Sequence, residues 1–181
     1  DEALPGGDVL DLLDRLVDKS LVSTTVSARI TRYRLMETVR EFAVSRLRAS
    51  PDFEAVSDRH IRYFSRQAQT ISDRMAGADL RRASAALAFE IDNVDAVIDG
   101  LGRSGRHNEK SRLVRALGLY WLTGAPRAGR RRLEELVSVI DALDPEERVT
   151  TLVQAAETFS QQGFAMRSAA LLSQPRDIAV F

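Results

Sequence analysis

The sequence predicts a mainly α-helical chain that carries one small β-hairpin. Three observations predict it. Apolar residues recur at helical spacing through most of the 181 residues. One stretch, residues 21–35, breaks that period with alternating β-branched and aromatic residues. Glycines and prolines fall between the periodic runs, where helices stop.

Asp8 opens the first helix, where its carboxylate can accept from the first free N–H groups. Asp11 adds negative charge near the positive end. Val9, Leu12, Leu13, Leu16 and Val17 form the apolar stripe, which fades near Lys19–Ser20. Val22, Thr24 and Val26 then alternate, as do Thr31, Tyr33 and Leu35, around a loop at Ser27–Ala28–Arg29. Residues 36–49 return to helix on Val39, Phe42, Ala43 and Leu47, and Pro51 blocks continuation. Helix, hairpin and helix in this order are the later part of a winged helix, so residues 1–50 are read as a partial winged-helix module.

Residues 52–181 read as helix after helix. His60, Tyr63, Phe64, Ala68 and Ile71 mark one, and Leu87, Ile91, Val94, Val97, Ile98 and Leu101 another. Leu113, Leu117, Tyr120 and Trp121 mark a third. Leu133, Leu136, Val137 and Ile140 follow Pro126, then Leu152, Val153, Ala156 and Phe159. Gly77, Gly105, Gly124 and Gly163 sit in the breaks. Placing Gly124 over Gly163 aligns Leu117 with Ala156, Tyr120 with Phe159 and Leu133 with Leu172. This offset suits a TPR-like array of antiparallel helical hairpins, because a lone hairpin cannot bury its apolar face and hairpins therefore stack. An array without a polar cap predicts a sticky C-terminus or self-association.

LLDRLVDKSLV (residues 12–22) and RYRLMETVREFAVSRL (residues 32–47) resemble the winged-helix end of STAND-type signal-transduction ATPases, in particular bacterial transcriptional regulators of the LuxR and AfsR type. Arg59–His60 with Tyr63–Phe64 resembles the RH-x-x-YF element that follows, and Glu90, Asp92 and Asn93 resemble the E-x-DN element of the first helical repeat. Leu119–Tyr120–Trp121, Gly124 and Gly129–Arg130 resemble the next repeat. The resemblance covers residues 8–172. It implies a nucleotide-binding domain, a winged helix and a helical-repeat sensor, often with a terminal DNA-binding helix-turn-helix, of which this sequence holds the middle. The expectation is a fragment, a truncated product or a remnant gene. Where the family opens the helix after the wing with Met-His-Asp, whose His reaches bound ADP, this sequence reads Leu35, Met36 and Glu37. Met cannot donate a hydrogen bond to a phosphate; the plainer reading is that Met36 packs.

Composition narrows the chemistry. Lys plus Arg and Asp plus Glu each number 26, so the chain has no net bias toward polyanions. There is no Cys and only two His, which argues against thiolate chemistry and a metal site. No apolar run approaches the roughly 18 residues of a membrane span, and DEALPGGD is no signal peptide, so a cytoplasmic protein is expected. No P-loop occurs, so no cofactor is expected in this chain, although the resemblance implies ATP or ADP in a domain outside it. GLGRSG (residues 100–105) follows a helical pattern, not the strand that dinucleotide binding requires. A helix stop explains it better.

Charge is uneven along the chain. Residues 103–132 hold nine Lys or Arg and one Glu. Arg127, Arg130, Arg131 and Arg132, beside Tyr120 and Trp121, are the candidate contacts to nucleic acid or an acidic partner. The plainer reading is a solvated outer face that pairs with acidic helices nearby. Arg32 and Arg34 share one face of the hairpin, with Arg29 near its tip, as a DNA-contacting wing would arrange them. Asp92, Asp95 and Asp99 share a helix face without a His or nucleophile, and read as an exposed acidic face. Tyr120 and Trp121 read as packing.

These observations favour a non-catalytic regulatory or sensor segment of a transcriptional regulator. In that reading the array receives a ligand or protein and the winged-helix part contacts the parent's nucleotide-binding domain. A stand-alone protein-interaction module and direct DNA binding through residues 103–132 and the wing remain the alternatives. No residue constellation supports an enzyme.

Overall fold

The computed structural model describes residues 6–27, 30–75, 77 and 79–173. The chain divides into two compact units between Val56 and Ser57. In the first, α1 (Gly6–Asp18) precedes an antiparallel hairpin of β1 (Val22–Ser27) and β2 (Ile30–Leu35), and α2 (Glu37–Arg48) follows. The helix includes Gly6, so Asp8 lies in its first turn and acts through its charge there. Ser27 pairs with Ile30; residues 28 and 29, part of the loop expected from the sequence, lie outside the described residues.

The register pairs the alternating residues across the hairpin: Val22 with Leu35, Thr24 with Tyr33 and Val26 with Thr31. At the end of α1, the N–H of Leu21 reaches Leu16 O (3.0 Å) and that of Ser20 reaches Val17 O (2.8 Å). This is a Schellman stop, with Ser20 at φ 55° in the position glycine usually takes. The unit has elements but little core. Val22 is buried, whereas α2 buries none of its residues and Phe42 stands 67% exposed. Met36 is 51% exposed, so the expectation that it packs is corrected.

α3 (Phe53–Met75) begins before the boundary and lies mostly in the second unit. The second unit continues through α4 (Leu80–Arg103), α5 (His107–Ala116), α6 (Gly118–Thr123), α7 (Pro126–Ser138), a 3-10 turn (Ile140–Ala142), α8 (Pro145–Gln161) and α9 (Ala165–Leu172). Its core joins Ile71 and Met75 of α3, Leu87, Val94 and Ile98 of α4, and Leu113, Val114, Leu117 and Trp121 of α5 and α6. Leu133 and Leu136 of α7 and Phe159 of α8 complete it. The apolar stripes read from the sequence supply almost all of these side chains, because burial of one helical face is what stabilises each helix.

The internal echo is structural. The path of α5 and α6, bent at Leu117, corresponds to α8, and α7 corresponds to α9. Leu117 and Ala156 are both buried, as are Tyr120 and Phe159. Gly129 and Ser168 occupy the same place, each buried where two helices cross: a Cβ on Gly129 would overlap Trp121, and Ser168 Oγ donates to Ala156 O at 2.7 Å. One pair differs. Leu133 is buried but Leu172 is 62% exposed, beside an open groove that Val153, Ala156 and Ser168 also line.

Two of the predicted glycine breaks are Schellman stops. Gly105 (φ 71°) ends α4, with Arg106 N–H on Leu101 O at 2.9 Å; Gly163 (φ 85°) ends α8, with Phe164 N–H on Phe159 O at 2.8 Å. GLGRSG is therefore the end of a helix.

Gly129→Ala tests the crossing of α6 and α7. Alanine favours a helix interior over glycine by about 1 kcal/mol. Overlap with the Trp121 side chain should reverse that sign and leave the variant less stable by about 1–3 kcal/mol in urea unfolding. A stabilised variant would contradict the crossing.

Candidate functional site

The basic segment separates into an inner and an outer set. Arg132, 4% exposed, is the inner one. It reaches Asp95 Oδ1 from Nη2 (2.6 Å) and Nε (3.2 Å), Asp99 from Nη1, and Glu135 Oε2 from Nη1 (3.2 Å). The expectation that Arg132 contacts an outside partner is corrected: its guanidinium is enclosed by carboxylates of α4 and α7. Asp95 and Asp99 keep the exposure expected of an acidic face, at 34% and 47%, and in addition hold Arg132. Lys110 of α5 joins the cluster through Glu135 at 3.0 Å.

A second cluster lies between α5 and α8. Glu147, largely buried, accepts from Ser111 Oγ (3.0 Å), Arg112 Nε (2.9 Å) and Arg115 Nη2 (3.0 Å), and Ser111 also bonds Thr151 at 2.7 Å. Burial by itself would raise the Glu147 carboxyl. Hydrogen bonds from Arg112 and Ser111, with the charges of Arg115 and Arg112, overcome burial and hold it below the usual carboxylate range. Glu135 behaves alike: burial raises it, and Lys110 and Arg132 bring it below the usual range.

Arg127, Arg130 and Arg131 form the outer set. Arg131 is 63% exposed and only 3.8 Å from Glu135. Arg130 lies 4.6 Å over the ring of Phe164, not beside Trp121. Trp121 packs on Gly129 and donates Nε1–H to Val114 O at 3.0 Å, and Tyr120 meets it edge-on at 5.1 Å, so both aromatics serve packing. The segment's charge is thus partly internal, paired with acidic residues that the sequence places far away.

On the hairpin, Arg32 and Arg34 stand opposite Thr25 and Ser23; Arg34 is exposed and Arg32 half-buried, and both take part in interactions within the structure. Leu35 ends β2, Met36 precedes α2, and Glu37 is engaged by Arg40 of its own helix, whose Nε is 3.1 Å away. The Arg40 hydrogen bond holds the Glu37 carboxyl below its usual range. Of the other family-like elements, the rings of His60 and Phe64 lie 4.8 Å apart and tilted by 52°, Tyr63 meets Phe64 at 4.9 Å, and Asn93 donates to Glu90 at 2.8 Å. These elements hold their own helices. Among the described residues, no helix is long and apolar enough to cross a membrane, and no group of three or more His, Asp or Glu is placed to hold a metal ion.

Similarity to known proteins can be set beside this geometry. The chain is 34% identical over 152 residues to "Putative HTH-type transcriptional regulator Mb0914c" of Mycobacterium bovis and to "Putative HTH-type transcriptional regulator Rv0890c" of Mycobacterium tuberculosis. The match takes in 81% of this chain. It spans 16% of each regulator's length. No protein-family profile and no solved structure matches the chain.

Acid should destabilise the second unit across two pH windows. Burial lowers His60 from its ordinary 6.5, so its neutral form is favoured on folding and that stability is lost as pH falls through 6.5 toward the folded value. The carboxyls of Glu135 and Glu147 lie below the ordinary 4.5, so their contribution is present above 4.5 and lost below it. Urea midpoints measured across pH should fall in both windows. His60→Gln should flatten only the upper one; an unchanged upper window in that variant would contradict the assignment.

Proposed function

We propose that the chain is a non-catalytic regulatory segment of a STAND-type, LuxR-like bacterial transcriptional regulator acting in the cytoplasm. In this reading the helical array of the second unit receives a ligand or protein. The first unit, a partial winged helix, relays that event to a nucleotide-binding domain elsewhere in the regulator. The observation that carries the reading is the similarity over 81% of the chain to HTH-type transcriptional regulators about six times as long as the matched segment. The helix–hairpin–helix order and stacked, TPR-like hairpins suit it, as an array of two-helix units offers a broad receiving surface. Leu35–Met36–Glu37 supplies no imidazole where the family's Met-His-Asp would contact ADP, so the nucleotide is held by residues outside this chain.

Direct DNA reading by the basic segment is disfavoured. Arg132 is enclosed, and Lys110, Arg112 and Arg115 already have carboxylate partners.

The test uses the full-length regulator loaded with a fluorescent ADP analogue. Removing residues 57–173 should change the rate of nucleotide release by about tenfold, a shift of about 1.4 kcal/mol in the barrier, while DNA binding persists. An unchanged release rate would contradict the relay. Failure of the intact regulator to bind nucleotide would contradict the STAND assignment.

A further inference from the structure

Among the described residues, the outer cations of α7 are left with little counter-charge. Arg106 is paired with Asp58 (2.7 Å) and Glu109 (2.6 Å), and the inner cations have the partners given above. Among the described residues Arg127 and Arg130 have no ion-pair partner, and Arg131 has only Glu135, at 3.8 Å. Residues 127, 130 and 131 are three and four apart, so they share one helical face and repel each other. An incoming anion would relieve that repulsion.

The same face has a built apolar side. The Gly163 stop directs the chain so that Phe164 lies beneath Arg130, where it stays 42% exposed. Gln162 Nε2 donates to Pro126 O at 3.1 Å, and Arg167 bridges to Glu134 at 2.9 Å. These two links tie α9 and its turn to α7 on either side of the Arg130–Phe164 contact. Met166, in the first turn of α9, is 89% exposed. An unbranched, polarisable Met side chain adapts readily to apolar partners.

We propose that this face binds an acidic amphipathic peptide segment of a protein partner. Its carboxylates meet Arg127, Arg130 and Arg131, and an apolar side chain lies against Phe164 and Met166. Nucleic acid fits less well. The three cations span only about 6 Å of helix, a short track for a phosphate backbone. One face of Phe164 is already taken by Arg130 and is closed to a stacking base. Glu134 and Glu135 lie next along α7, so a polyanion tracking along the helix would meet them, whereas a peptide whose acids stay on the turn of residues 127–131 would not. The proposal rests on the array being a receiving surface and names the chemistry of what it receives.

The experiment is fluorescence anisotropy with the full 181-residue chain at low ionic strength. The probes are a short labelled peptide alternating Asp and Glu with Phe and Leu, the same peptide with Asn and Gln for the acids, a labelled DNA duplex and labelled oligo-dT. The acidic peptide should bind, and added salt should weaken it. Arg127→Glu with Arg130→Glu, and the milder Arg127→Gln with Arg130→Gln, should each reduce affinity by about tenfold or more. Phe164→Ala should reduce it severalfold. Arg103→Glu, an exposed change on α4, should leave it within about twofold. No binding of the acidic peptide would overturn the proposal, as would equal binding of the amide peptide or equal losses in Arg103→Glu. Tighter binding of DNA or oligo-dT that depends on the same arginines would overturn it in favour of nucleic acid. These outcomes are independent of nucleotide release, so the peptide site and the relay can fail separately.

Discussion

A guanidinium taken out of water is costly unless charge and hydrogen bonds replace the solvent it loses. Arg132 meets that requirement with Asp95 and Asp99 from α4 and Glu135 from its own helix, and Glu135 extends the cluster to Lys110 of α5. Three helices are thereby fixed to one point. Apolar contacts alone allow α7 to slide or turn on its neighbours at small cost, whereas a misplaced Arg132 would leave both an unpaired cation and unpaired acids. Burial opposes the charge on Arg132, and the hydrogen bonds it donates to Asp99 and Asp95 outweigh it, so the side chain is held firmly charged. Glu147 performs the reciprocal task one hairpin later, as a largely buried acid surrounded by Ser111, Arg112 and Arg115.

The position of the outer face follows from the inner one. With residue 132 turned inward, the helical rotation turns 127, 130 and 131 outward or to the flank. Gly129 sits on the inner side and lets α7 approach Trp121 closely. The Gly163 stop then sets Phe164 against Arg130. Structure and surface chemistry are thus two sides of the same helix. Its inner side carries the ion cluster, and its outer side carries Arg127 and Arg130, which have no ion-pair partner among the described residues.

Much of the fold was legible because it obeys local rules. Strict alternation at Val22, Thr24 and Val26 and at Thr31, Tyr33 and Leu35 gave the hairpin with its cross-strand pairs. The echo around Gly124 and Gly163 gave the two stacked hairpins, and Gly105 gave the end of α4. The site was less legible. Three successive arginines look alike in composition, and only helical phase separates them. The phase was present: Gly129, Arg132, Leu133, Leu136 and Ile140 recur at three- and four-residue steps, and that stripe is buried. The net charge of zero also implied acids to match the basic segment, but which acids depends on tertiary contacts at separations such as 132 to 95. Phe164 gave no signal, since its role depends on a turn that brings α9 back along α7. In the first unit, local pattern predicts the elements but not that Phe42 and Met36 stand exposed, because exposure depends on tertiary packing.

The central claim is that Arg132 is an internal fastener and its neighbours are surface. Urea unfolding of Arg132→Ala beside Arg131→Ala measures it most directly. Loss of Arg132 strands carboxylates at a helix junction and should cost about 3 kcal/mol, moderated because those acids keep some contact with water. Loss of Arg131 should stay within about 0.5 kcal/mol. Equal, small losses for both variants would contradict the account, placing Arg132 with the surface arginines after all.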